Sequence, residues 1–365
     1  MIIIATRLHH YRLPLRSEWA TAAGDFAWRE GWLVQLETDD GRYGHGDCAP
    51  LPASGTEKPG RAVAALRAYA EQLDGRLPGD SLAALSDAAD CNAPAARGAI
   101  ESALLDLLAQ AANLPLADYL RGSTGLRDVA ANAALGSLLQ GSEEAMLEAH
   151  AAGFNVVKLK VGKSSVAEEI NHLQRIAEYC PAGLRLRLDA NRAWDEKQAA
   201  AFLSACAGLP IEMFEEPLAD PQPAALRRLQ AQCDFPLALD ESLANFGRQY
   251  SFVDSFDDFP VRRLVLKPPC HGGLLPTLAL ARRATTAGLE CVVTSSVDSA
   301  CGVLGAAHLA AALGNELAHG LATSSWLAED TGTPPRIVNG RLALPGIAGL
   351  GFKPWPGLPF QPVAA

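Results

Sequence analysis

Two lysines, Lys158 and Lys160, stand two apart in the apolar run VVKLKVG (156–162), and Asp189, Glu215, Asp240 and Lys267 follow at near-regular distances. Lysine is among the residues least often fully buried, so a core-like strand with two lysines on one face needs a polar destination for that face. Asp189, Glu215 and Asp240 offer only oxygen, the ligand type of a hard divalent cation. Mg²⁺ suits a site built from a few carboxylates that leaves positions for water and substrate oxygens, with Mn²⁺ as the alternative. Zinc fits poorly, because the eight histidines (9, 10, 45, 150, 172, 271, 308 and 319) form no HxH or HExxH. Lys160 precedes the first acid and Lys267 follows the last, which puts two amines on opposite sides of a bound substrate. That arrangement suits proton transfer at carbon, since a proton α to a carboxylate is removable when a cation stabilises the enediolate charge. The base must be neutral; Lys158 beside Lys160, with the cation near, lowers the pKa toward the roughly 7 to 8 such a lysine needs.

The elements that must position these residues are legible in the spacing. From Lys160 through Asp189, Glu215, Asp240 and Lys267 to Thr294 the steps are 29, 26, 25, 27 and 27 residues, matching the roughly 25 to 31 per unit of a (β/α)₈ barrel. Eight β-like runs alternate with helical stretches: 129–136, 156–161, 184–190, 211–217, 236–242, 263–268, 291–296 and 317–322. Barrel sites form at the C-terminal strand ends. Alternation gives Lys158 and Lys160, and likewise Arg187 and Asp189, a common side facing the barrel mouth. One inward charge is as readily a structural ion pair; the argument rests on Lys-x-Lys, Asp, Glu, Asp and Lys on five consecutive strands, where three clustered carboxylates repel unless a cation holds them. Ser165 with Glu168 and Asp195 with Gln198 read as helix starts.

Residues 1–127 have a different texture and read as an α+β capping domain. Strand-like segments fill the first fifty residues, with an Asp-Gly hairpin signal in LETDDGRYG, and 60–74 and 94–111 are apolar at helical spacing. The barrel occupies 128–322. The Gly- and Pro-rich segment 323–365 reads as irregular and as packing back on the cap. A length of 365 residues exceeds what one core usually supports, roughly 250 to 300. With 49% hydrophobic and 20% charged residues and a net charge of −10, the chain reads as an ordinary globular α/β protein. The acidic balance argues against nucleic acid and anionic membrane and for a small-molecule partner. Eight cysteines form no CxxC pair and read as free thiols. No signal-peptide pattern and no run of about 18 apolar residues occurs, so a cytoplasmic location is expected, as monomer or homo-oligomer.

VVKLKVG, RLDANRAW (187–194), FEEP (214–217), LDES (239–242) and LKP (266–268), taken in order, resemble the enolase superfamily and, within it, the o-succinylbenzoate synthase family of menaquinone biosynthesis. The resemblance covers nearly the whole chain. It implies a modified TIM barrel whose cap is completed by the C-terminal tail, and a hydro-lyase activity: syn dehydration of 2-succinyl-6-hydroxy-2,4-cyclohexadiene-1-carboxylate to 2-succinylbenzoate through a metal-stabilised enediolate. It further implies that Lys160 removes the α-proton and returns it to the departing hydroxyl, that Lys267 stabilises the enediolate, and that Asp189, Glu215 and Asp240 bind Mg²⁺. Glu216 takes a supporting role, Lys158 supports the base, and Arg187, Asn191, Ser295 and Ser296 match substrate-contacting or supporting positions. Cap segments 18–26 and 47–53 are expected to close over the substrate, although Asp47 and Cys48 depart from the family's Glu and hydroxyl residue. The same two-lysine site admits N-succinylamino acid racemisation. Dipeptide epimerases usually carry Asp-x-Asp on the last strand, absent from LAHGLATSS (317–325). An inactive binding protein is the remaining alternative, against which the five intact positions speak.

Overall fold

The computed structural model describes residues 1–21, 24–87, 92–141, 143–243, 246 and 256–363, with the side chains of 17–26 and 87 outside the described set. Strands β1 (Ile3–Thr21), β2 (Gly24–Thr38) and β3 (Tyr43–Cys48) form an antiparallel meander. The Asp-Gly signal marks the β2–β3 turn, where Gly41 takes a φ of +81° that glycine adopts without steric cost. Helices α1 (Pro59–Ala70), α2 (Pro78–Asp87), α3 (Pro94–Ala111) and α4 (Leu116–Arg121) follow. α3 is not one-sided, as its spacing suggests: Arg97, Glu101 and Asp106 are as buried as its leucines, because the helix lies between the cap sheet and the barrel. Its charges are paired, as burial requires. Glu101 accepts from the Leu275 N–H at 3.0 Å, and Asp106 accepts from the N–H groups of His45 at 3.0 Å and Leu350 at 2.8 Å. A Cβ at Gly44 or Gly46 would sit 2.2 Å from the Ala103 carbonyl or 1.9 Å from that of Ala99, so these alternate glycines let α3 rest on the β3 backbone.

After the short β4 (Asp128–Ala130), strands and helices alternate. They run β5 (Ala133–Ser137), α5 (Glu143–Ala151), β6 (Val156–Lys160), α6 (Val166–Glu178), β7 (Arg185–Asp189), α7 (Glu196–Ala205), β8 (Ile211–Glu215), α8 (Pro223–Gln230), β9 (Leu237–Leu239), β10 (Arg263–Leu266), α9 (Leu274–Thr286), β11 (Glu290–Val293) and α10 (Ala300–Leu313). Strands β5 to β11 make one parallel sheet in sequential order. Both helix starts read from the sequence are present: the Ser165 side chain accepts from the Glu168 N–H, and Asp195 and Gln198 form a reciprocal capping box. Outward residues such as Leu159, Leu188, Phe214 and Leu239 meet Leu173, Phe202 and Leu226 of the helices, while Met213, Ala238, Val265 and Val292 fill the interior. No helix among the described residues is long and apolar enough to cross a membrane, and the seven described cysteines are free.

The eighth unit departs from the (β/α)₈ expectation. Residues 317–322 contribute parallel bridges, His319 to Ala131 and Gly320 to Thr294, which join the two edges of the sheet and close the ring. The His319 N–H donates to the Ala130 carbonyl at 2.8 Å and the Gly320 N–H to that of Val293 at 2.8 Å. Glycine is needed at 320, where a Cβ would lie 2.3 Å from the Thr294 hydroxyl. No α-helix follows; a 3₁₀ turn at Ser324–Trp326 leads into the tail. That tail is not wholly irregular: β12 (Ile337–Val338) pairs with β13 (Arg341–Ala343), β13 pairs with β4, and β14 (Gln361–Pro362) pairs with β1 of the cap.

Candidate active site

The sheet register brings the chemistry-bearing residues to one level. Lys160, Asp189 and Glu215 are the last residues of β6, β7 and β8 and are paired in register, while Asp240, Lys267 and Thr294 each lie one residue beyond β9, β10 and β11. β6 and β10 are four steps apart in a ring of eight, so Lys160 and Lys267 stand across the mouth from each other. Both line a cavity of about 270 Å³, together with Lys158, Asp189, Asn191, Asp240 and Glu241.

Lys158, one layer below, reaches up. Its Nζ donates to Glu215 Oε2 and Oε1 at 2.8 and 2.9 Å and lies 2.8 Å from Asp189 Oδ2. Burial works against its charge, but Asp189, Glu215 and Asp240 outweigh this and hold its pKa above the ordinary lysine value. Burial likewise opposes the Lys267 charge, and Asp240 and Glu241 overcome it; Lys267 Nζ donates to Asp240 Oδ2 at 2.5 Å. Lys160 shifts the other way, lowered by burial with Lys158 and Lys163 adding to the effect against the pull of Asp189. One amine is thus biased toward neutrality and its opposite toward the ammonium form.

Carboxylate oxygens of Glu215, Asp240 and Glu241 lie within 4.8 Å of one another. Burial, and Asp189 next to it, push Glu215 up to about 8, the signature of acids crowded without enough compensating charge. This all-oxygen set fits a hard divalent cation. Asp189 stands at its edge: burial would lift its carboxyl, but Lys158 holds it below the usual range, and Asn191 donates to it through its backbone N–H at 2.9 Å. Glu241 has no assigned role in the sequence reading. Past the strand end alternation no longer decides direction, and the turn carrying Glu241 is held by Glu216, which accepts from the N–H groups of Asp240 and Ser242 at 2.7 and 2.9 Å. Glu216 thereby takes the supporting position expected of it.

Asn191 bridges the acids, its Nδ2 donating to Asp189 Oδ2 and Glu241 Oε1, each at 3.3 Å. Ser295 and Ser296 line the cavity, and Ser295 Oγ shares a hydrogen bond with Thr323 Oγ1 at 2.5 Å. Arg187 is a correction. It faces the barrel interior, but its guanidinium turns away from the mouth and does not line the cavity. It is 2% exposed and donates to Glu212 and Asn132 at 3.0 Å each and to the Ala318 carbonyl at 2.9 Å. The β7–β8 register slips at Glu212, which pairs with both Arg187 and Arg263. Of the cap segments, 47–53 reaches the site through Leu51 and Ala53, followed by Ser54. Segment 18–26 is backbone of the β1–β2 hairpin; its side chains and residues 22 and 23 lie outside the described residues. Trp326, Thr323 and Asn132 also line the cavity, unmarked by any motif.

Residues 142–356, more than half the chain, match the family described as Enolase C-terminal domain-like, and residues 4–82 match MenC, N-terminal domain. The chain belongs to the enolase superfamily. Among superfamily relatives, it is 27% identical over 313 residues to a hydrophobic dipeptide epimerase of Enterococcus faecalis, covering 83% of this chain and 85% of the relative. It is 26% identical over 322 residues to an N-succinyl-L-Arg/Lys racemase of Bacillus cereus, covering 85% and 84%. The crystal structure of an Enterococcus faecalis dipeptide epimerase with Mg and the dipeptide L-Leu-L-Tyr superposes with a TM-score of 0.84 at 26% identity, covering 96% of this chain and 99% of that one. The chain therefore has the barrel and the acidic strand-end arrangement of superfamily enzymes, whose named activities here are epimerisation and racemisation.

Proposed function

We propose that this enzyme removes a proton α to a carboxylate with Lys160, and that the reaction served is syn dehydration of 2-succinyl-6-hydroxy-2,4-cyclohexadiene-1-carboxylate to 2-succinylbenzoate. The observation that carries this reading is the charge pattern of the cavity. Among its described lining residues the only acids are Asp189, Asp240 and Glu241, all in the cation cluster, and the eighth segment adds Gly320, Ala322 and Thr323. A dipeptide's ammonium would find no carboxylate of its own there, whereas a dicarboxylate faces three lysines. The match of residues 4–82 to MenC, N-terminal domain supports the same choice.

Bound by Asp189, Glu215, Asp240 and Glu241, Mg²⁺, with Mn²⁺ as substitute, supplies the charge that makes the α-proton acidic. Neutral Lys160 takes that proton and, as the ammonium, gives it to the hydroxyl leaving from the same face; water departs and the ring becomes aromatic. Lys267, kept charged by Asp240 and Glu241, offsets the enediolate charge from across the mouth. Saturating Mg²⁺ is expected to raise the thermal midpoint, by mass action worth about 2.7 kcal/mol at a hundredfold excess over Kd, and Glu215→Gln to erase most of that rise. An unchanged midpoint for the parent protein in differential scanning fluorimetry would remove the cation from the proposal.

Because the neutral amine is the base, activity is present above the Lys160 pKa and lost as pH falls through it. The rising limb of kcat/KM is expected below the ordinary lysine value of about 10.4, with Lys267 remaining charged well above that limb. A limb absent below pH 10 counts against Lys160.

N-succinylamino acid racemisation is the second reading, favoured by the Bacillus cereus relative and by amines on both faces. It requires Lys267 to give up its proton in one direction, which its ion pair with Asp240 opposes. Purified protein with Mg²⁺ in D₂O separates the two: dehydration should proceed to the aromatic product, with N-succinylamino acids turned over far more slowly. Fast racemisation without dehydration would reverse the order.

A further inference from the structure

Arg29 on β2 is 3% exposed and lies outside the catalytic set, yet it joins the two walls of the cavity that do not belong to the cation cluster. Its Nη2 donates to the Ala49 carbonyl at 2.8 Å and its Nη1 to the Pro50 carbonyl at 3.2 Å, at the root of the cap loop whose Leu51, Ala53 and Ser54 line the cavity. Its Nε donates to the Val297 carbonyl at 3.2 Å, at the end of the segment whose Ser295, Ser296 and Val297 form the opposite wall. Val297 has a φ of +58°. For a β-branched residue this left-handed conformation is an outlier that persists only when its surroundings impose it. Asp298, next in the chain, is 2% exposed; its Oδ1 has no hydrogen-bond partner and lies 3.8 Å from Arg29 Nη2. A second tie runs beside the first: Asp47 accepts from Tyr11 Oη at 2.6 Å and from the Ser299 N–H and Oγ at 3.0 and 2.8 Å. The Asp47 tie holds cap to barrel; the guanidinium alone reaches both cavity walls.

We propose that Arg29 is a positioning residue that sets the width of the active-site cavity, holding the cap loop 49–54 and the strand-end turn 295–298 at a fixed separation without touching substrate. The planar fork of donors is what the task requires. A lysine at 29 keeps a charge beside Asp298 but cannot reach carbonyls on both walls in fixed directions. A wall displaced by about 1 Å loosens substrate placement at a cost of up to 10²-fold, while Lys160, Lys267 and the acids stay in place on their own strands. The catalytic readout rests on the proton-abstraction reading; the structural readout does not.

Arg29→Lys and Arg29→Met are to be compared with the parent by amide hydrogen exchange and by steady-state kinetics on the cyclohexadiene dicarboxylate with Mg²⁺. Exchange is expected to rise at least tenfold in both variants at Leu51 and Ser54 and, together with them, at Ser295 and Ser296, while the β6 to β8 amides keep parental protection. KM is expected to rise tenfold or more with kcat within about threefold. Exchange rising at one wall only, rising uniformly across the protein, or unchanged would overturn the proposal, as would a fall in kcat at constant KM. If the parent protein does not turn over this substrate, the reaction assignment fails, and the paired exchange of the two walls still decides the role of Arg29. Should Arg29→Met fail to fold, Arg29→Lys carries the comparison.

Discussion

Lys160→Ala is expected to lower turnover by about 10²–10⁴-fold, the range for removing a positioned general acid–base group, and toward the upper end because the same amine both takes and returns the proton. The cation cluster is built from β7, β8 and the turn after β9, so the Mg²⁺-dependent rise in thermal midpoint should survive the substitution. This separates loss of the base from loss of the fold. Exchange of the substrate's α-proton with D₂O should disappear in parallel with turnover. A variant that keeps more than a tenth of the parental rate, or still exchanges the α-proton, would show that the base lies elsewhere. Lys267→Ala is informative beside it. If Lys267 only offsets charge, slow exchange should persist; if it is the opposing base of a racemase, deuterium should enter from one face only.

Arg187→Met is expected to cost about 3–5 kcal/mol in unfolding free energy, the range for breaking a buried ion pair from one side. The guanidinium serves Glu212, Asn132 and the Ala318 carbonyl together. Removing it leaves the side-chain oxygen of Asn132 and a carbonyl of the ring-closing segment without their donor inside the barrel. Urea titration should show a lower midpoint at unchanged slope. The native fraction should retain its KM within about threefold, since Arg187 does not line the cavity. Arg187→Lys, which keeps the charge but not the fork, should fall between. A large rise in KM with little change in stability would return Arg187 to the substrate-contacting role that its motif suggests.

Arg187 and Lys158 illustrate what can be read from a sequence and what cannot. Both are paired across β6 and β7, one layer below Lys160 and Asp189, and alternation correctly turns both inward. Alternation says nothing about whether a long side chain then runs up or down the barrel axis. Lys158 rises to Asp189 and Glu215, while Arg187 descends to Glu212, because the register slip in β8 brings a carboxylate to that end. Glu241 is the complementary case. It follows Asp240 immediately, and strict alternation directs it away from the site, but β9 ends at Leu239 and the turn held by Glu216 returns it to the acids.

The sequence by itself determined the repeating unit, the strand ends that carry charge, the helix starts at Ser165 and Asp195, and the order of amines and acids, because each depends on local spacing along one element. Tertiary structure alone decided that 317–322 closes the ring through two bridges without a following helix, that Glu241 joins the acids, and that Arg29 ties cap to barrel. Those outcomes depend on which segments distant in the chain come within hydrogen-bond reach, and such distances are set by packing rather than by period.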